Sequence, residues 1–145
     1  MIFSISILNF IFQVNNSKAI RIFWLDDDIF CSKIYEHHLR VLGYYNIKLF
    51  QEANACLKAL PQRPDVVFLD HNLPGTNGQQ VLTQIQELSP HTKVVYFTGK
   101  QMLNLEMEVR NAGVYAFIQK GVGDLAHLTA VMTMLEKESY LPIIT

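Results

Sequence analysis

Cysteine is scarce. The chain has two among 145 residues, Cys31 and Cys56, in apolar surroundings and without CxxC or Cys/His spacing. That excludes a structural zinc site and reads as two reduced core thiols, the usage expected of a cytoplasmic protein. An excess of charge of either sign is also absent. Twelve Lys and Arg stand against thirteen Asp and Glu, a formal net charge of −1, so there is no electrostatic footprint for nucleic acid. Long apolar runs are missing too. The opening "MIFSISILNFIF" is only 12 residues, where a membrane-spanning helix needs about 20. No Lys or Arg precedes it, as a secretory signal would require. Repeats and low-complexity tracts do not occur.

What remains is half hydrophobic and long enough for one domain with a real core. Residues 1–19 read as an N-terminal apolar extension, packed on the domain or frayed, with a membrane-proximal anchor as the alternative. Residues 20–137 read as the domain and 138–145 as a tail.

Within the domain, short apolar runs alternate with helical spacing. "IRIFWL", "IKLF" (47–50), "VVFL" (66–69), "VVYF" (94–97) and "AFI" (116–118) are strand-like. Between them lie five helical stretches. Phe30, Ile34, Val41 and Leu42 mark the inner face of the first. Ala53, Cys56, Leu57 and Leu60 mark the second, which ends at Pro61. Val81, Leu82, Ile85 and Leu88 mark the third, and Met102, Leu105, Val109 and Ala112 the fourth. The last has Asp124 as N-cap and Leu125, Leu128, Met132 and Leu135 inside. Each helix is a crossover, so the strands pair in parallel, and their continuous hydrophobicity means both faces are covered. The expected fold is α/β: a doubly wound, five-stranded parallel sheet of the flavodoxin-like kind, strand order 2-1-3-4-5, with helices on both faces.

In an open parallel sheet, sites form beyond the carboxyl ends of the strands. Strand one ends in Asp26 and Asp27, strand three in Asp70, strand four in Thr98 and Gly99, and strand five in Lys120. Any one of these alone reads as a solvated strand end. Three carboxylates, a hydroxyl and an ammonium at the same topological position are hard to read as chance, and the adjacent aspartates point to a divalent cation site. Asp28 reads instead as the start of the first helix, where negative charge is favourable.

The blocks "IFWLDDD", "PDVVFLDHNLPGTNG", "VVYFTGK" and "GVYAFIQKG" resemble, in motif and spacing, the receiver domain of two-component response regulators, over residues 20 to 136. The resemblance implies that Asp70 is the phosphoacceptor. It implies Mg²⁺ held by Asp26, Asp27, Asp70 and the backbone carbonyl of Asn72, with Lys120 and Thr98 pairing with phosphoryl oxygens and Gly99 leaving room for the donor. It also implies a switch in which Thr98 moves toward the phosphoryl group and Phe117 turns inward. The implied partners are a histidine kinase or histidine phosphotransfer protein, an unknown downstream protein, and a second copy in a phosphorylation-dependent homodimer. Enzymatic turnover beyond self-phosphorylation and self-dephosphorylation is not expected.

Two residues depart from the family pattern. Gly121 follows Lys120 where proline is common, and Phe117 stands where tyrosine is common. His71, beside Asp70, reads as a packing side chain, and His37, His38, His91 and His127 as surface or partly packed. Met102, Met107, Met132 and Met134 read as core or partner-facing. Pro74, Gly75 and Gly78 shape the loop after Asp70. Two rivals remain. One is a receiver-like protein-interaction module that is never phosphorylated. The other is a phosphohydrolase using Asp70, for which the chain is short of a cap domain.

Overall fold

A computed structural model describes residues 4–9, 11, 19–99, 101–102 and 104–139. Five strands, β1 (Ile22–Leu25), β2 (Ile47–Phe50), β3 (Val66–Leu69), β4 (Lys93–Thr98) and β5 (Ala116–Gln119), form one sheet. Its order is β2-β1-β3-β4-β5, and every pairing is parallel. The crossovers are α1 (Ile29–Val41), α2 (Ala53–Ala59), α3 (Gly78–Leu88) and α4 (Leu105–Asn111), and α5 (Asp124–Ser139) closes the domain. A 3₁₀ turn, Leu60–Gln62, follows α2 and carries Pro61. The expected architecture is the observed one.

Two cores lie on the two faces of the sheet. Trp24, Phe68, Phe97 and Ile118 pack with Tyr35 and Leu39 of α1 and Leu128, Val131, Met132 and Leu135 of α5. Phe23, Leu25, Val67, Leu69 and Tyr96 pack with Cys56 of α2, Val81, Leu82 and Ile85 of α3, and Leu105 and Val109 of α4. Successive strand residues therefore alternate between two buried faces, which is why β1 and β3 are apolar throughout, whereas edge strand β2 carries the exposed Lys48.

The phase of α1 differs from expectation. Phe30, Ile34 and Val41 are 81%, 59% and 71% exposed, whereas Ser32, Tyr35 and Leu39 are buried. Asp28 caps the helix, accepting from the Phe30 and Cys31 amides, and Ser32 Oγ donates back to the Asp28 carbonyl. Tyr35 enters the core because its ring stacks on Trp24 at 5.2 Å while its hydroxyl finds a carboxylate. Aromatic bulk with a satisfied polar end outweighs plain apolarity in setting the phase. Leu88, Met102 and Ala112 are likewise exposed, Leu125 is 37% exposed, and Val131 takes the place in the core expected of Leu125. Of the methionines, Met132 is core, while Met102, Met107 and Met134 are exposed.

Helix α5 runs two residues past the expected boundary at 137, and residues 140–145 of the expected tail lie outside the described residues. In the N-terminal extension residues 5–9 are helical, and Ile5, Ile7, Leu8 and Ile11 are exposed. Among the described residues, no helix is long and apolar enough to cross a membrane.

Candidate functional site: an acidic pocket at the carboxyl edge of the sheet

Strand register builds the site. Leu25 pairs with Leu69, so the next residues, Asp26 and Asp70, leave the sheet side by side. Thr98 pairs with Gln119, which sets Lys120 just beyond Thr98, and the Lys120 amide donates to the Thr98 carbonyl at 3.0 Å. Asp26, Asp70 and Thr98 are buried, while Asp27 is exposed. One carboxylate oxygen from each of Asp26, Asp27 and Asp70 lies within 4.8 Å of the others. Lys120 Nζ sits 2.5 Å from Asp26 Oδ2 and 3.9 Å from Asp70 Oδ2. The site residues expected on strands one, three, four and five thus meet in one pocket.

Hydrogen bonds orient the pair of buried acids. Asp26 Oδ1 accepts from the Asp28 amide at 2.9 Å, and Asp70 Oδ1 from the His71 amide at 2.8 Å. The Thr98 hydroxyl donates to Asp70. Burial pushes the Asp70 carboxyl above the usual range, against the opposing charge of Lys120 and the Thr98 hydrogen bond. For Lys120, burial pulls downward, but the hydrogen bond to Asp26 and the charges of Asp70 and Asp26 outweigh it, and the net shift is upward. Among the described residues the pocket is therefore short of positive charge: one ammonium faces three carboxylates. An all-oxygen donor set with excess negative charge suits a hard divalent cation such as Mg²⁺, which takes one or two carboxylates and keeps waters.

The loop after Asp70 holds its backbone from behind. Asn72 and Leu73 pair antiparallel with Thr76 and Asn77 around Gly75, whose φ is +74°. The Gly78 amide donates to the His71 carbonyl at 2.8 Å. A Cβ at Gly78 would stand 2.7 Å from the Asp70 carbonyl oxygen and collide with the Tyr96 hydroxyl. Asn77 caps α3 through the Gln80 amide. Asn72 is exposed two residues past Asp70.

This constellation sits on the matching fold. A family model for the response regulator receiver domain matches residues 22–133. The chain belongs to the response regulator receiver family. Receiver domains are signalling switches that work with histidine kinases or phosphotransfer proteins and generally bind Mg²⁺ at an acidic pocket. Among solved structures, a CheY-like response regulator receiver domain protein from Methanospirillum hungatei JF-1 is similar at a TM-score of 0.73 and 25% identity, covering 83% of this chain and 96% of that one. A receiver domain protein from Clostridium thermocellum shares the fold at a TM-score of 0.75 and 20% identity, with 84% and 98% covered. Among curated proteins, Nodulation protein W of Bradyrhizobium diazoefficiens is 26% identical over 85% of this chain and 54% of its own length. Oxygen regulatory protein NreC of Staphylococcus epidermidis is 32% identical over 58% and 39%. The chain thus spans about half, or less, of the curated relatives it matches.

Several placements fall outside the sequence reading. His71 is buried with Nδ1 2.6 Å from the Tyr96 hydroxyl, and Tyr96 stacks on Phe117 at 6.0 Å and 9°. Phe117 is therefore already turned inward in this receiver. In the sequence, Tyr96 reads only as one apolar residue of "VVYF". Tyr35 Oη donates to Asp124 Oδ2 at 2.6 Å, and His38 Nε2 lies 2.8 Å from Thr129 Oγ1. These pairs are 25, 89 and 91 residues apart in the chain, so no local motif announces them. The Lys120–Gly121 peptide is trans, and Gly121 has φ +137°, a conformation closed to proline. The loop after Lys120 thus has its own shape, as the glycine substitution suggested, yet Lys120 still reaches the pocket.

Proposed function

We propose that this receiver takes a phosphoryl group on Asp70 from a phosphohistidine of a kinase or phosphotransfer protein. The observation that carries the reading is the convergence on one buried carboxylate, Asp70, of an ammonium, a hydroxyl and two further carboxylates within 4.8 Å. A carboxylate oxygen of Asp70 attacks phosphorus. The new O–P bond forms as the P–N bond breaks, and the freed imidazole keeps the electron pair and takes a proton from solvent. Asp26, Asp27, Asp70 and the Asn72 carbonyl would hold Mg²⁺, which supplies charge neutralisation to two anions in contact. Lys120 pairs with one phosphoryl oxygen and the Thr98 hydroxyl turns from Asp70 to another. Residues 20–137 are the working unit and the compartment is the cytoplasm.

The output is a change in the surface of α4, β5 and α5, which binds a downstream protein or a second copy. Phosphorylation acts by shifting populations, not by creating a new fold. One observation favours a second reading. Thr98 already contacts Asp70 and Phe117 is already inward, so the binding face stands ready before phosphorylation, as in an interaction module that needs no phosphoryl group.

The test is acetyl phosphate with Mg²⁺, followed by intact mass. The phosphoacceptor reading expects one added phosphoryl mass on the wild type and none on Asp70→Asn. Equal labelling of both proteins removes Asp70 from the role. An unlabelled wild type, with unchanged partner binding in Asp70→Asn, favours the interaction module.

A further inference from the structure

The loop that follows the pocket lysine has little to hold it. Gly121 and Gly123 both have positive φ, +137° and +82°, and a Cβ at either would meet nothing within 4 Å. Val122 between them is fully exposed. No proline stiffens the segment. Even so, Lys120 is held to 2.5 Å from Asp26. One carboxylate oxygen accounts for the order. Asp124 Oδ2 accepts from the Gly121 amide at 3.0 Å and from the Tyr35 hydroxyl at 2.6 Å, while the Asp124 amide donates to the Gly121 carbonyl at 3.2 Å. Burial pushes the Asp124 carboxyl up, but hydrogen bonds from the Tyr35 hydroxyl and from the Gly121, Leu125 and Asp124 amides outweigh it and hold the carboxyl below its usual range.

Tyr35 is itself immobile. Its ring stacks on Trp24 at 5.2 Å and meets Phe97 edge-on at 4.5 Å. Phe97 is also the ring over which the Lys120 ammonium lies, at 6.0 Å. The first helix thus reaches across the sheet edge and fixes both ends of the lysine's surroundings: the ring beneath its head and the turn behind its backbone.

We propose that Tyr35 and Asp124 are positioning residues for phosphoryl transfer: their shared hydrogen bond aims Lys120 into the acidic pocket, in place of a rigid peptide after the lysine. The inference rests on the reading of Lys120 given above. It has a signature that loss of stability does not. Lys120 neutralises Asp26 and competes with a cation for it. A loosened Lys120 leaves the carboxylates freer, so Mg²⁺ affinity rises while phosphoryl transfer slows.

The experiment measures Mg²⁺ affinity by calorimetry and the transfer rate from acetyl phosphate at saturating Mg²⁺. Tyr35→Phe should raise Mg²⁺ affinity about threefold and slow transfer about tenfold. Asp124→Ala, at the half-buried first residue of α5, leaves the Tyr35 ring in its core, should do the same and serves if Tyr35→Phe folds poorly. Asp124→Asn keeps an acceptor oxygen for both donors and should stay near wild type. Thr129→Val removes a different α1–α5 hydrogen bond, His38 to Thr129 at 2.8 Å, and should leave both quantities unchanged whatever it does to stability. Unchanged affinity and rate in Asp124→Ala, or a fall in both together, overturns the inference. Lys120→Ala separates it from its premise. If that variant transfers at the wild-type rate, the role of Lys120 itself is wrong. If it slows and Asp124→Ala does not, only the positioning role fails.

Discussion

Lys120 and Asp26 directly follow strands β5 and β1, 94 residues apart, and meet at 2.5 Å. The contact makes the pocket's own ammonium the counter-ion of a buried carboxylate. It also makes Lys120 a competitor of any cation that uses Asp26. Removing a unit charge that competes for the same carboxylate is worth about 1 kcal/mol or more at contact range even with water-like screening. Lys120→Ala is therefore expected to bind Mg²⁺ more tightly, by about fivefold or more, while losing phosphoryl transfer. Calorimetric titration reads the first and mass spectrometry the second. A weaker Mg²⁺ affinity in this variant contradicts the assigned geometry.

The raised carboxyl of Asp70 has a pH consequence. Its folded value lies above the unfolded one, so folding favours the protonated form, and the carboxylate destabilises the fold as pH rises through that window. Asp70→Asn is then more stable than wild type at neutral pH without Mg²⁺, with the higher Tm of the two. The gap closes as pH falls below the ordinary carboxylate range, where both folded and unfolded wild type carry the proton. Melting curves at neutral and acidic pH check the sign. A gap that widens toward acid contradicts it.

Gly78 lacks room for a side chain, and Gly75 lacks only a comfortable backbone. A Cβ at Gly78 meets the Asp70 carbonyl at 2.7 Å, whereas one at Gly75 meets nothing within 4 Å. Gly78→Ala should cost about 1–3 kcal/mol, since backbone must move, and should slow labelling of Asp70. Gly75→Ala should cost about 1 kcal/mol from its left-handed φ and leave labelling near wild type. Equal effects on labelling would show that the loop does not hold Asp70 through Gly78.

The fold was legible because the inner strands are buried on both faces and so read as unbroken apolar runs, such as "IFWL" and "VVFL"; edge strand β2, with Lys48 exposed, carries a weaker form of the signal. The pocket was legible because parallel strands end at one edge, which turns Asp26, Asp27, Asp70, Thr98 and Lys120 into neighbours by topology alone. The phase of α1 was not. Phe30, Ile34 and Val41 have the spacing of a buried face but form an exposed one, because Tyr35 satisfies its hydroxyl on Asp124 while its ring stacks on Trp24 and meets Phe97 edge-on. A partner 89 residues away leaves no trace in local periodicity.

That phase is directly measurable. Leu39→Ala removes a fully buried side chain and should cost about 2–5 kcal/mol. Phe30→Ala should change stability by no more than about 0.5 kcal/mol. Denaturant melts of the two variants decide between the faces. A large loss in Phe30→Ala with little in Leu39→Ala would restore the face expected from apolarity.

The central claim is that Asp70 carries the phosphoryl group. Labelling with a phosphohistidine donor or acetyl phosphate in Mg²⁺, followed by peptide mapping of the acyl phosphate, tests it most directly. The expected result is one phosphoryl group per chain on the peptide containing Asp70, lost in Asp70→Asn and slowed in Asp27→Ala. A phosphoryl group found elsewhere, or retained in full by Asp70→Asn, contradicts the account.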